Sequence, residues 1–262
     1  MRGKKLAVLL LLGFGLLKLP MERAVSARLN QAELLSPFAS LELRENLDQT
    51  AFAAVLGGLR SLVASVTYMR AYIAFEDGFW AEVDRLYALT TRLQPRNVAY
   101  WDEAAWQMAF NAASHYLHDK GTREYTRGAL YQQYIDRGIE ILREGLRYNP
   151  DSPRLWGALG DIYARRKREP LPAAEAYLKA EADGGPAYYQ RLAAYQLLQA
   201  PDRESWVKAY ELLRATYDAG KKFPSVIDGL HELERRLKIP PDQRIPEKAS
   251  EKKAPSVGPM AP

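Results

Sequence analysis

The sequence predicts an all-α fold, a solenoid of three to four helical hairpins. Two stretches match at a fixed offset: Leu93-Gln94-Pro95 is followed six residues after its proline by Trp101, and Tyr148-Asn149-Pro150 six residues after its proline by Trp156. Apolar residues then recur at intervals of three and four, as in Ile135, Ile139, Leu142 and Leu146, the period of a helix with one buried face. Finally, Trp156 is followed by Leu159-Gly160, Tyr163, Ala173, Tyr177 and Ala180, an order of large, small and aromatic residues that lets two helices approach closely.

The amino terminus reads as an export or anchoring signal. Arg2, Lys4 and Lys5 precede an apolar run at 6–17, which Lys18 closes. This run is shorter than the roughly 20 residues of a full membrane span and suits a signal-peptide core. The following site is poor for cleavage, because Pro20, Glu22 and Arg23 intrude and Val25-Ser26-Ala27 is the only small-residue motif nearby. Lys18 can snorkel and Leu19 can lengthen the span. Residues 1–19 are therefore expected to form a hydrophobic helix that stays as a signal anchor, with a cleaved signal peptide as the alternative. Either outcome puts the remainder on the extracytoplasmic, periplasmic side, since the basic cluster stays inside.

Residues 20–47 read as a connector broken by Pro20 and Pro37, with short helical pieces at 22–35 and 40–46. Asp48 is expected to cap an apolar run at 49–76 that Gly57-Gly58 interrupts. The repeat domain is expected over 48–238. Its first hairpin pairs 59–76 with 79–93 across Asp77-Gly78. The second pairs 98–118 with 123–147 across Asp119-Lys120-Gly121-Thr122, where Thr122 is expected to cap the next helix. Trp101 and Trp156 are 55 residues apart. That exceeds a period of about 34 and calls for taller helices or an inserted arm around 112–130. The third hairpin pairs 153–166 with 171–182 through the basic run Arg165-Arg166-Lys167-Arg168, expected as a solvated loop, with an acidic or phospholipid contact as the alternative. A degenerate fourth pairs 187–199 with 203–218, and a helix at 224–237 caps the stack. Residues 239–262, rich in Pro, Lys and Glu, are expected to be a disordered tail.

Composition excludes several chemistries. Cysteine is absent, which removes disulfides and thiolate sites. Net charge is +5, from 37 basic and 32 acidic residues, too small and too dispersed an excess to imply nucleic acid. No phosphate loop, dinucleotide-binding glycine pattern, G-x-S-x-G or H-E-x-x-H motif occurs. His115 and His118 share a helix face beside Asp119 without a third ligand at a telling distance, so surface histidines or a helix-terminus contact are expected. The sequence gives no catalytic residues, metal site, cofactor or small-molecule substrate, and the chain is expected not to be an enzyme. An enzyme or carbohydrate-binding module on helical hairpins is the remaining third class.

In a stack of hairpins the first helix of each pair lines the inner face. At helical spacing that concave face is expected to collect Tyr68, Tyr72 and Phe75, then Asp102, Trp106 and Phe110, then Arg154, Asp161 and Arg165. An aromatic half beside a charged half suits an extended peptide or a partner helix. The competing reading of Trp106, Phe110 and Tyr72 is that they are core. Charge reversal at Arg154 and Arg165 is the mutational test this placement suggests.

The stretches Leu56-Gly57-Gly58-Leu59-Arg60, Leu93-Gln94-Pro95, Ala105-Trp106-Gln107-Met108-Ala109-Phe110-Asn111 and Glu144-Gly145-Leu146-Arg147-Tyr148-Asn149-Pro150 resemble bacterial membrane-anchored tetratricopeptide repeat (TPR) proteins. The resemblance covers roughly residues 50–182. It implies a TPR-like α-solenoid, export or anchoring, and protein binding without catalytic residues. The first hairpin departs from the pattern, with Thr67 and Arg70 where large and apolar residues are usual. The expectation is a non-enzymatic scaffold tethered at the membrane that binds a partner protein or peptide. The alternative is a permanent structural subunit of a bacterial envelope secretion, pilus or transport assembly.

Overall fold

The computed structural model describes residues 58–246. The expected signal segment at 1–19, the connector at 20–47, the Asp48 cap and the tail from 247 onward lie outside the described residues. Among the described residues every regular element is helical, and the chain divides into two compact units, 1–189 and 190–262.

In unit 1, Gly58 sits at φ +85°, a conformation that L side chains rarely adopt, and the first described helix starts after it. Helix α1 spans Arg60–Glu76 and α2 spans Trp80–Leu93, joined by a tight turn through Gly78 at φ +73°. Val63, Ala64 and Ala71 of α1 and Val83, Leu86 and Tyr87 of α2 are buried. Thr67, the departure from the repeat pattern, is buried as a hydroxyl pair with Thr90 at 2.8 Å, and both hydroxyls also reach a carbonyl one turn back. Each polar group is therefore satisfied within the core.

The second hairpin is tall. Helix α3 (Val98–Trp106) runs through a π-helical segment (Gln107–Ala112) into α4 (Ala113–His118), and α5 covers Glu124–Tyr148. The extra length is two longer helices: Tyr116 of α4 stacks on Tyr134 of α5 at 5.1 Å. Thr122 does not cap α5. Its hydroxyl instead donates to Asp119 Oδ2 at 2.6 Å, and the Gly121 N–H donates to Oδ1 at 2.9 Å. The carboxylate is the stronger acceptor and organises the turn, and these bonds hold the Asp119 carboxyl below its usual pKa.

The third hairpin pairs α6 (Pro153–Ile162), extended by a second π segment (Tyr163–Lys167), with α7 (Pro170–Ala182). Gly160 lies flat on the Tyr177 ring, so that a β-carbon there would stand 2.6 Å from the ring. Gly145 lies as close to Trp101, at 2.7 Å. Helix α6 packs on both α3 and α5, which makes hairpins two and three neighbours.

Helix α8 (Tyr188–Gln199) crosses the boundary between the units. Within unit 2, α9 (Arg203–Asp218) packs closely on α10 (Pro224–Leu237), and this pair replaces the expected pairing of 187–199 with 203–218. The first residues of the expected tail, 239–246, fall among the described residues. Residues Pro241–Gln243 form a short 3-10 turn and Ile245 is only 3 % exposed. The Ile245 N–H donates to the buried Glu234 carboxylate at 2.8 Å, so an apolar side chain and a satisfied amide hold this strap on α10. No helix among the described residues is long and apolar enough to cross a membrane.

Candidate functional site

The candidate site rests on a recurring turn. The Trp101 indole donates to the Pro95 carbonyl at 2.8 Å, and the Trp156 indole to the Pro150 carbonyl at 2.9 Å. In each turn the side chain two residues after the proline caps the following helix: Asn97 accepts from the Ala99 N–H, and Ser152 from the Leu155 N–H. Unit 2 contains the same arrangement. The Trp206 indole donates to the Ala200 carbonyl at 2.8 Å, and Asp202 caps α9 by accepting from the Ser205 N–H at 2.8 Å. A main-chain carbonyl is the acceptor, so proline is dispensable there, and a search keyed on proline passes over Ala200. This register makes α9 the first helix of a hairpin, which is why it pairs with α10 and not with α8. Asn149 ties the first two turns together by donating to the same Pro95 carbonyl at 2.9 Å.

The sequence-predicted residues all belong to unit 1, on α1, α3 and α6 and on the π segments that follow α3 and α6. Tyr68 is half-buried between Tyr87, at 5.9 Å, and Tyr100 of α3, at 5.2 Å. Burial, and then the charge of Glu103, raise its pKa, so it stays a neutral hydroxyl. Tyr72 is exposed beside Phe75 of its own helix. Trp106 is 45 % exposed and stacks on the buried Phe110 at 4.2 Å. Of that aromatic pair, Phe110 is core and Trp106 is surface.

The charged residues are engaged with one another. Arg154 Nε donates to Asp102 Oδ2 at 2.6 Å, joining α6 to α3. Asp161 pairs with Arg165 at 3.3 Å and accepts a hydrogen bond from the Tyr177 hydroxyl at 2.8 Å. Burial first, and then the Asp161 charge, push the Tyr177 phenol well above its ordinary pKa. The two arginines therefore meet carboxylates of the same unit, and reversing their charge would break internal pairs as well as any external one.

The basic run at 165–168 differs from a solvated loop. Arg165 and Arg166 belong to the π segment that extends α6. Arg166 lies over the Phe110 ring at 4.4 Å and donates to the Phe110 carbonyl and to Ser114 Oγ, so the second π segment docks into the first. Lys167 pairs with Asp136 at 2.9 Å. Phe110, Arg166 and Lys167 lie in π-helical segments, a local widening of the helix that the linear sequence does not mark.

A polar ladder running from α3 into the π segment after it was also missed from sequence. Asn111 donates to Gln107 Oε1 at 2.7 Å, and Gln107 donates to Glu103 Oε1 at 2.8 Å. The spacing of four was the available signal. His115 packs against Trp80 at 5.5 Å, and His118 Nδ1 lies 2.7 Å from the Ser114 carbonyl at the end of its helix. Among the described residues no three His, Cys, Asp or Glu side chains cluster as a metal site.

No family model matches this chain, and no curated protein matches it.

Proposed function

We propose that this chain is a TPR-like scaffold that binds a partner protein or peptide along the first helices of its hairpins. In this reading the N-terminal hydrophobic segment tethers it on the extracytoplasmic side. The observation that carries the reading is the indole-to-carbonyl bond recurring at Trp101, Trp156 and Trp206 with a polar cap two residues past its acceptor. A repeated turn is what a stack of like hairpins needs, and stacked hairpins expose a row of first-helix side chains. Trp106 and Tyr72 supply exposed aromatic anchors on that row, and the Asp102–Arg154 pair supplies a polar rim.

The test is photo-crosslinking of the full-length, membrane-tethered protein. A photoreactive residue at Trp106 or Tyr72 is expected to capture one discrete partner. The same residue at Tyr125, which is 89 % exposed on α5, is not. Trp106→Ala should abolish capture from Tyr72 without lowering the unfolding midpoint appreciably. Identical adducts from all three positions would overturn the reading.

A further inference from the structure

An open groove of about 630 Å³ lies among α5, α6 and α7, all within unit 1. Its apolar lining includes Leu146 of α5, Trp156 and Leu159 of α6, and Ala176 of α7. Trp156, Leu159 and Tyr163 stand three and four residues apart, on a different side of α6 from Arg154 and Asp161. The groove is therefore separate from the row of first-helix side chains described above and does not rest on that reading.

The charges around the groove are unevenly committed. Lys179 is bound to Asp183 Oδ1 at 2.9 Å, and that bond and charge, with Asp151 behind them, raise its pKa. The Asp183 side chain is only 9 % exposed, and its Oδ2 is buried without a hydrogen-bond partner among the described residues. Glu169 and Glu175 line the groove and make no ion pair or side-chain hydrogen bond among the described residues. The field of Glu169 also reaches Lys167, which is already bonded to Asp136. From α5, Arg143 donates to the Tyr163 hydroxyl at 2.8 Å. The Trp156 indole N–H is given to the Pro150 carbonyl, so Trp156 offers the groove its ring and not a donor.

We propose that this groove takes an extended segment of a partner protein that carries an arginine or lysine beside an apolar residue. The apolar side chain covers Leu159 and Trp156, and the cation meets Glu169 and Glu175 with the indole ring beside it. The further N–H groups of Arg143 meet main-chain carbonyls of the segment. The chain's own Lys179 on Asp183 shows an ammonium already held at the edge of this groove. A purely apolar occupant would desolvate two carboxylates without pairing them. An acidic occupant would set like charges together. A free amine would leave Arg143 and the apolar lining unused.

The test uses full-length protein in detergent micelles on an immobilised array of short random peptides. Bound peptides are expected to be enriched in arginine or lysine next to an apolar residue. Glu175→Lys and Glu169→Lys should each weaken binding of those peptides at least about tenfold, while Tyr125→Ala, at an exposed position outside the groove, leaves it unchanged. Glu175→Arg should regain binding when the basic residue of the peptide is replaced by glutamate. Four results would overturn the proposal: no basic enrichment, binding unchanged by both glutamate substitutions, no regain on the charge swap, or loss on Trp106→Ala but not on Glu175→Lys. The last would place the peptides on the first-helix row and leave that reading standing. Loss on Glu175→Lys alone supports the groove whatever Trp106 captures.

Discussion

The Trp156 indole N–H donates to the Pro150 carbonyl at 2.9 Å, and this bond fixes where the third hairpin begins. The proline ends the approach of α5, the indole turns the chain, and Ser152 caps α6. The same bond between Trp101 and Pro95 is buried and accompanied by the Tyr148 ring stacked at 6.0 Å. One local device thus sets the entry of successive first helices, and the side chains those helices expose follow from it.

Replacing tryptophan by phenylalanine separates the bond from the ring. Trp80 is also buried, but its indole nitrogen has no hydrogen-bond partner among the described residues. Trp101→Phe is expected to cost about 0.5–1.5 kcal/mol more than Trp80→Phe, because only the first loses a hydrogen bond, while Asn149 still donates to the Pro95 carbonyl. Urea unfolding followed by circular dichroism measures both. Equal losses would show that ring volume alone matters.

Two glycines in helices should respond in opposite directions. Gly160→Ala drives a methyl group into the Tyr177 ring and is expected to cost about 1–3 kcal/mol. Gly128→Ala, on α5 with open space around it, is expected to stabilise by about 0.5–1 kcal/mol through helix propensity. Thermal unfolding of the two variants beside the parent decides.

Acid should loosen the α9 cap. The Ser205 backbone N–H, and then its hydroxyl, hold the Asp202 carboxyl below its ordinary pKa. A depressed folded-state pKa gives stability that is fully present above the unfolded value of about 3.9 and is lost as pH falls through the folded value. Asp202→Asn keeps a cap acceptor without the titration. Parent and variant urea midpoints should therefore converge below about pH 4. A gap that stays constant from neutral pH downward would rule out this role.

The Asp102–Arg154 pair should contribute little to folding. Arg154 is 59 % exposed, and exposed pairs contribute roughly 0–1 kcal/mol. A double-mutant cycle with Asp102→Asn and Arg154→Gln should give a coupling below about 1 kcal/mol that shrinks in high salt. A salt-independent coupling of several kcal/mol would make the pair structural and remove it from the candidate surface.

Helix positions were legible in the sequence because apolar period, proline and glycine punctuation act locally. The helices expected at 79–93, 153–166 and 203–218 stand within a residue or so of α2, α6 with its π extension, and α9. The pairing of α9 was not legible. It depends on the Ala200 carbonyl, and a carbonyl belongs to every residue. Of the candidate surface, Trp106 and Tyr72 were found as exposed aromatics, whereas the engagement of Arg154 and Arg165 was hidden because their partners lie on neighbouring turns and helices. Arg166 looked like one more loop cation until the paired π segments brought it onto Phe110.

The most direct test is hydrogen exchange at the five tryptophan indoles, read by NMR in ¹⁵N-labelled protein. The account predicts that the Trp101 indole proton exchanges slowest among those held by a carbonyl, Trp156 and Trp206 less slowly, and exposed Trp106 fastest of all. Trp101, Trp156 and Trp206 exchanging as fast as Trp106 would contradict a turn that recurs through the indole bond, and with it the repeat scaffold built on that turn.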